Sequence, residues 1–129
     1  MKIRSGFVSN SSSTSFVIYG ISMPTYKLEE WLNDHYNAML SEENIEAMEE
    51  EGNYAIVELF TDLCADWLKE NNLDVYTGYE SEYTYIGISP QNFPGNKTVD
   101  ETKTFITQVL GARFFDNTAN WHEECFRDG

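Results

Sequence analysis

A chain of 129 residues with 41% hydrophobic and 15% aromatic residues carries too many bulky groups for a disordered segment and is sized for one core. Its formal net charge of −14 repels nucleic acid and anionic membrane, argues against direct binding to either, and favours a basic protein surface as partner. No apolar run reaches the roughly 18 residues of a membrane-spanning helix, and the first residues lack a signal peptide's continuous apolar stretch, so the expected location is the cytoplasm.

The charge is uneven along the chain. Residues 1–28 contain Lys2, Arg4 and Lys27 without an acid, a formal +3, whereas residues 29–129 set 22 acids against five basic residues, a formal −17. The chain thus divides into a Ser-rich leader or hairpin arm, residues 1–15, and a single acidic domain, residues 16–129. In the leader, Ile3, Phe7 and Val8 form an apolar run interrupted by Ser5-Gly6, read as a loose arm in preference to a paired strand. From Ser9 to Ser15 every residue except Asn10 carries a hydroxyl. The β-branched and aromatic run TSFVIYG then predicts a central strand ending at Gly20.

Pro24 suits the first turn of a helix of about 16 residues, because its missing N–H would have no partner there, and Leu28, Trp31, Leu32, His35 and Met39 supply its apolar edge. Ser41 followed by Glu42 and Glu43 marks the start of a short second helix, with Ile45 and Met48 on its apolar side and Gly52 as its stop. Ile56, Leu59, Phe60, Leu63, Cys64, Trp67 and Leu68 then follow the helical period through one continuous helix stopped at Asn71-Asn72. LDVYTG and YTYIGIS predict a hairpin, and Pro90 to Gly95 a turn-rich loop. Thr98 and Glu101 have the spacing of a capping box before a helix closed by Gly111. Arg113 to Phe115 reads as a short strand, and the remainder as a short helix or irregular tail. Adjacent strands with segregated helices give an α+β domain of two layers, a mostly antiparallel sheet with helices on one face.

Chemistry-bearing motifs are sparse. Neither G-x-G-x-x-G nor a P-loop occurs, and no G-x-S-x-G or S-x-x-K spacing marks a nucleophile. A Ser-rich-loop hydroxyl could act with His35 or His122, since triads are set by geometry, but His35 falls on an apolar helix edge and reads as packed. His122 and Cys125 could share a helical face, yet a structural zinc site needs four ligands and no second pair exists, so no metal or other cofactor is expected. Cys64 and Cys125 read as reduced, packed thiols. The Asn10 and Asn96 sequons have no consequence in an unsecreted chain.

The acids form the more specific pattern. Glu58, Asp62, Asp66 and Glu70 recur every four residues, so their carboxylates climb one helical ridge. Like charges at that spacing weaken a helix by a few tenths of a kcal/mol per pair, so the ridge needs a reason other than helix stability. It can face a basic partner, including a host nucleic-acid-binding protein whose groove it would fill as a mimic, or serve as an ordinary solvated face.

The opening MKIRSGFVSNSSSTSF resembles the leader of many uncharacterised small phage and bacterial proteins, whose usual form has an unbroken serine run before a Phe; here Thr14 interrupts it. YIGIS at Tyr85 to Ser89 followed by Asp100 to Phe105 resembles the end of small phage-encoded proteins. The resemblance implies a phage or prophage setting and a leader with its own reader, for which Arg4, Ser9, Asn10, Ser11 and Phe16 are the contact candidates. The expected function is non-enzymatic: an accessory or inhibitor protein using Glu58, Asp62, Asp66 and Glu70 against a basic host surface. A virion assembly protein and a small hydrolase are the alternatives.

Overall fold

The runs TSFVIYG and YTYIGI, rich in residues that pack well on a pleated surface, form neighbouring strands at the middle of one sheet. The computed structural model describes residues 7–8, 14–36, 38, 40–77, 83–114 and 118–126. In chain order the elements are β1 (Phe7–Val8), β2 (Thr14–Pro24), α1 (Thr25–Tyr36), α2 (Glu42–Glu51), α3 (Asn53–Leu63), α4 (Ala65–Glu70), β3 (Asp74–Thr77), β4 (Tyr83–Ile88), a 3-10 turn (Pro90–Asn92), α5 (Val99–Phe114) and β5 (Asn120–Phe126). The 5-stranded sheet has the order β1-β3-β4-β2-β5. The β3–β4, β4–β2 and β2–β5 pairs are antiparallel, and β1 joins β3 in parallel through Phe7↔Val75 and Val8↔Tyr76, so Phe7 and Val8 are a paired strand and not the expected loose arm.

Alternation along the strands sends Ile21, Met23, Val75, Ile86 and Ile88 to one face, where they pack with Leu28 and Leu32 of α1, Phe60 of α3, and Ile106 and Leu110 of α5. This is the expected two-layer α+β arrangement, with a mostly antiparallel sheet and its helices on one side.

The opposite face closes on itself. Ser22 pairs with Tyr85, so Phe16, six residues earlier on β2, would lie about 20 Å away along a flat strand. Its ring is instead 5.2 Å from that of Tyr85 and stacks at 4.3 Å on Tyr76. The strand must therefore coil, and Gly20 and Gly87, direct partners between β2 and β4, permit it. A Cβ on Gly20 would meet the Ile86 carbonyl oxygen and stand 2.5 Å from the Gly87 Cα, so no larger residue fits without moving backbone. Phe16 at 6% and Ile18 at 0% exposure form a second small core with Tyr85 on this face.

Several boundaries depart from the sequence reading. The β2–β4 ladder carries the strand through Gly20 to Pro24, which ends a strand instead of opening a helix. Helix α1 stops at Tyr36, short of Met39. The helix expected to run unbroken to Asn71 is divided at Cys64, whose φ of −110 and ψ of 19 leave the helical region. One turn earlier the Thr61 hydroxyl donates to the Val57 carbonyl at 2.7 Å, a back-bond that bends helices. Gly111 does not close α5, which runs on to Phe114 and absorbs the expected strand at Arg113. There the Trp31 indole N–H donates to the Arg113 carbonyl at 3.1 Å, and the guanidinium lies 4.2 Å over Trp67. The tail expected as helix or coil is β5, paired with β2 from Gly20↔Asn120 to Thr14↔Phe126.

Candidate functional site

The acidic face is built by two helices packed side by side. Helix α2 starts at Ser41, whose hydroxyl accepts from the Asn44 N–H at 3.1 Å while Asn44 Oδ1 accepts from the Ser41 N–H at 3.0 Å. It stops at Gly52, where a φ of 64 suits a residue without a Cβ. Glu42, Glu43, Glu46, Glu49 and Glu50 on this helix are all exposed. On the following elements Glu58 is half-buried, and Asp62, Asp66 and Glu70 are exposed.

The break at Cys64 divides the four ridge carboxylates between α3 and α4. Glu58 and Asp62 border a hollow of about 180 Å³ between α2 and α3, whose other walls include Asn44, Ala47, Ala55 and Leu59. Alanine and leucine side chains beside two carboxylates are a lining that suits the aliphatic stem and charged head of a lysine or arginine. Asp66 falls in the first turn of α4, where a negative charge is favourable. Glu70 belongs to a different pocket, between α4 and α5.

Lys69 stands among these acids in the last turn of α4, and three further cations lie against aromatic rings. Lys97 Nζ is 5.5 Å from the centre of the Phe105 ring, Lys103 is 5.5 Å from that of Tyr19 and 5.4 Å from that of Trp121, and Arg113 covers Trp67. Lys97, Lys103 and Arg113 thus lie against aromatic faces around α5, while acids outnumber cations along α2, α3 and α4.

Of the leader residues proposed for recognition, Arg4, Ser9, Asn10 and Ser11 lie outside the described residues. Phe16 is described and buried: its ring belongs to the second core, so a reader reaching it would have to open the coiled sheet.

That second face also holds a polar group that sequence reasoning missed. The Ser89 hydroxyl donates to Asp74 Oδ2 at 2.9 Å, joining the end of β4 to the start of β3. Burial raises the Asp74 carboxyl above its ordinary range, with the Ser89 hydrogen bond opposing it. The Tyr76 phenol is also raised, by burial first and by the nearby Asp74 charge, and it too bonds Ser89. His122 of β5 places its ring 5.6 Å from Tyr85, with Nε2 buried and without a hydrogen-bond partner. Ser89 donates to a carboxylate and has no bonded base to accept its proton, so this arrangement satisfies buried polar groups and does not activate a nucleophile.

The remaining candidates separate. His35 is exposed instead of buried in the core, its ring stacked 4.5 Å from Trp31 and its Nδ1 2.9 Å from the Trp31 carbonyl oxygen. Of the Ser9 to Ser15 hydroxyls on which the hydrolase reading draws, those of residues 9–13 lie outside the described residues, and Thr14 and Ser15 belong to β2. Residues 122 to 125 form a strand, where a three-residue spacing does not share a face, so the helical geometry behind the metal reading is lost. Among the described residues no cluster of three or more His, Cys, Asp or Glu could hold a metal ion.

Cys64 is a buried free thiol between the Tyr36 hydroxyl at 3.7 Å and the Arg113 guanidinium at 3.6 Å. Burial pushes its pKa up despite those partners, which makes it a packing group and not a nucleophile. Among the described residues no helix is long and apolar enough to cross a membrane. Compared with protein families, curated proteins and solved structures, the chain finds no match.

Proposed function

We propose that this is a non-enzymatic binding protein whose α2–α4 face engages a basic surface on a protein partner. The hollow between α2 and α3 carries this reading: Glu58 and Asp62 line it together with Ala47, Ala55 and Leu59, a combination suited to a basic side chain. The exposed α2 glutamates and the gathering of Lys97, Lys103 and Arg113 against rings around α5 supply the long-range field. In a phage setting, as the leader's resemblance implies, such a protein would act as an accessory or inhibitor of a host protein, including one whose basic groove normally holds nucleic acid.

The test is capture of partners from nuclease-treated bacterial lysate by the full chain and by a variant carrying Glu58→Gln, Asp62→Asn, Asp66→Asn and Glu70→Gln. The expected result is a basic protein retained at low salt, released at high salt, and lost by the variant. Capture that survives high salt, or that the four changes leave intact, would assign binding to another surface and overturn the proposal.

A further inference from the structure

Between the end of α4 and α5 lies a second pocket of about 190 Å³ that shares only Glu70 with the acidic face. Its apolar lining comes from Ile88 at the end of β4, Pro94 in the following loop, and Phe105 and Ile106 of α5. Charge of both signs borders it: Glu70 from α4 and Lys97 from the loop before α5, both exposed. We propose that this pocket binds a free α-amino acid with a branched apolar side chain, its ammonium toward Glu70, its carboxylate toward Lys97 and its side chain against the apolar lining.

Size and charge decide the class. Drug-sized ligands occupy pockets of about 300 Å³ or more, so a nucleotide or a long acyl chain exceeds this space, while a small amino acid fits it. A simple anion or cation would match one bordering charge and approach the other at a cost, whereas a zwitterion matches both. The Lys97 ammonium is 5.5 Å from the Phe105 ring centre, so the carboxylate site adjoins the apolar lining. The neighbouring Glu101 carboxyl is lowered chiefly by its hydrogen bonds with Thr98 and least by Lys97, so Lys97 is not committed to it. On the other wall the Asn71 side-chain amide donates to the Trp67 carbonyl at 2.8 Å, which leaves its own carbonyl oxygen as an acceptor for the ammonium. Asn72 closes the helix with a φ of 56, a left-handed turn that asparagine tolerates.

The experiment is an amide-resolved NMR titration of the full chain with L-leucine, with isoamylamine, isocaproate and glycine as ligands lacking the carboxylate, the ammonium and the apolar side chain. Leucine should give saturable shifts at Asn71, Asn72, Lys97 and Phe105, and each of the other ligands should bind about tenfold more weakly or worse, the loss expected from one charge-assisted contact. Lys97→Met should weaken leucine about tenfold without weakening isoamylamine, whose like-charge neighbour it removes, and Glu70→Gln should weaken leucine to the same degree without weakening isocaproate. No saturable shift at these residues, equal binding by leucine and a singly charged ligand, or indifference to both substitutions would overturn the assignment. The two readings share Glu70, but these outcomes are read from leucine and its analogues at Asn71, Asn72, Lys97 and Phe105, and Lys97→Met leaves the basic-partner face untouched, so failure of one reading is distinguishable from failure of the other.

Discussion

The carboxyl of Asp74 lies half-buried at the start of β3 under a hydrogen bond from Ser89, and burial holds its pKa above the ordinary 3.8. For an acid, a folded-state pKa above the unfolded value means that the folded chain holds the proton more tightly. The penalty for ionising Asp74 is absent at pH below the unfolded value, grows as pH rises from that value toward the raised one, and is constant above it. Asp74→Asn keeps an oxygen to accept from Ser89 and removes the charge. The variant should therefore be more stable than the parent at neutral pH, with the difference vanishing in acid, as read by urea denaturation across a pH series. A variant less stable than the parent at neutral pH would show that the ionised carboxylate is a net stabiliser. No sequence signal marks Asp74, because its hydrogen-bond partner Ser89 is fifteen residues away, just past the end of β4. Phe16 shows the same limit: its position before an apolar run suits a strand, but its burial depends on a sheet that coils.

At the scale of elements, that coil rests on one pair of residues. Gly20→Ala places a methyl group against the Ile86 carbonyl oxygen and the Gly87 Cα, atoms that cannot rotate away as a side chain would. The strands must separate or flatten, and the expected cost is about 3 kcal/mol, the upper end of overpacking penalties. Loss of the Phe16–Tyr76 stack should accompany it, visible as a change in the near-ultraviolet circular dichroism. A variant of unchanged stability and spectrum would place the bend elsewhere. Gly20 had read as the end of a strand, since glycine punctuates chains for several physical reasons that a sequence does not separate. The starts of α2 and α5 were legible because capping is local: Ser41 with Asn44, and Thr98 with Glu101, whose Oε1 accepts from the Thr98 N–H at 2.9 Å. Gly52 as the stop of α2 was legible for the same reason. The break at Cys64 and the formation of β5 were not. The back-bond at Thr61 is local but not diagnostic, since Thr102 and Thr107 make the same bond in α5 without breaking it, and β5 is a tertiary outcome whose ladder comes entirely from β2.

For the whole molecule, the four-residue period of acids was plain in the sequence, but the hollow that gives two of them a shape was not, because it exists only where α2 packs on α3. The same distribution of charge acts on folding and on binding with opposite salt dependence. A net charge of −14 confined to a folded volume repels itself more than in the expanded chain. On the helices, the i,i+4 pairs Glu42–Glu46, Glu46–Glu50, Glu58–Asp62 and Asp66–Glu70 together cost about 1–2 kcal/mol at low ionic strength. Added salt screens exposed charges beyond about 10 Å at 0.1 M and should raise the unfolding free energy by an amount of that order, measured by urea denaturation at low and high sodium chloride. Binding of a basic protein partner should weaken over the same range, because the attraction screened is the one that brings the acidic face to it. Joint movement in opposite directions is the signature of a face whose acids are retained for binding at some cost to stability. A fold whose stability is flat or falls as salt rises would mean that local cations already neutralise the ridge, and the acidic face would then be an ordinary solvated surface.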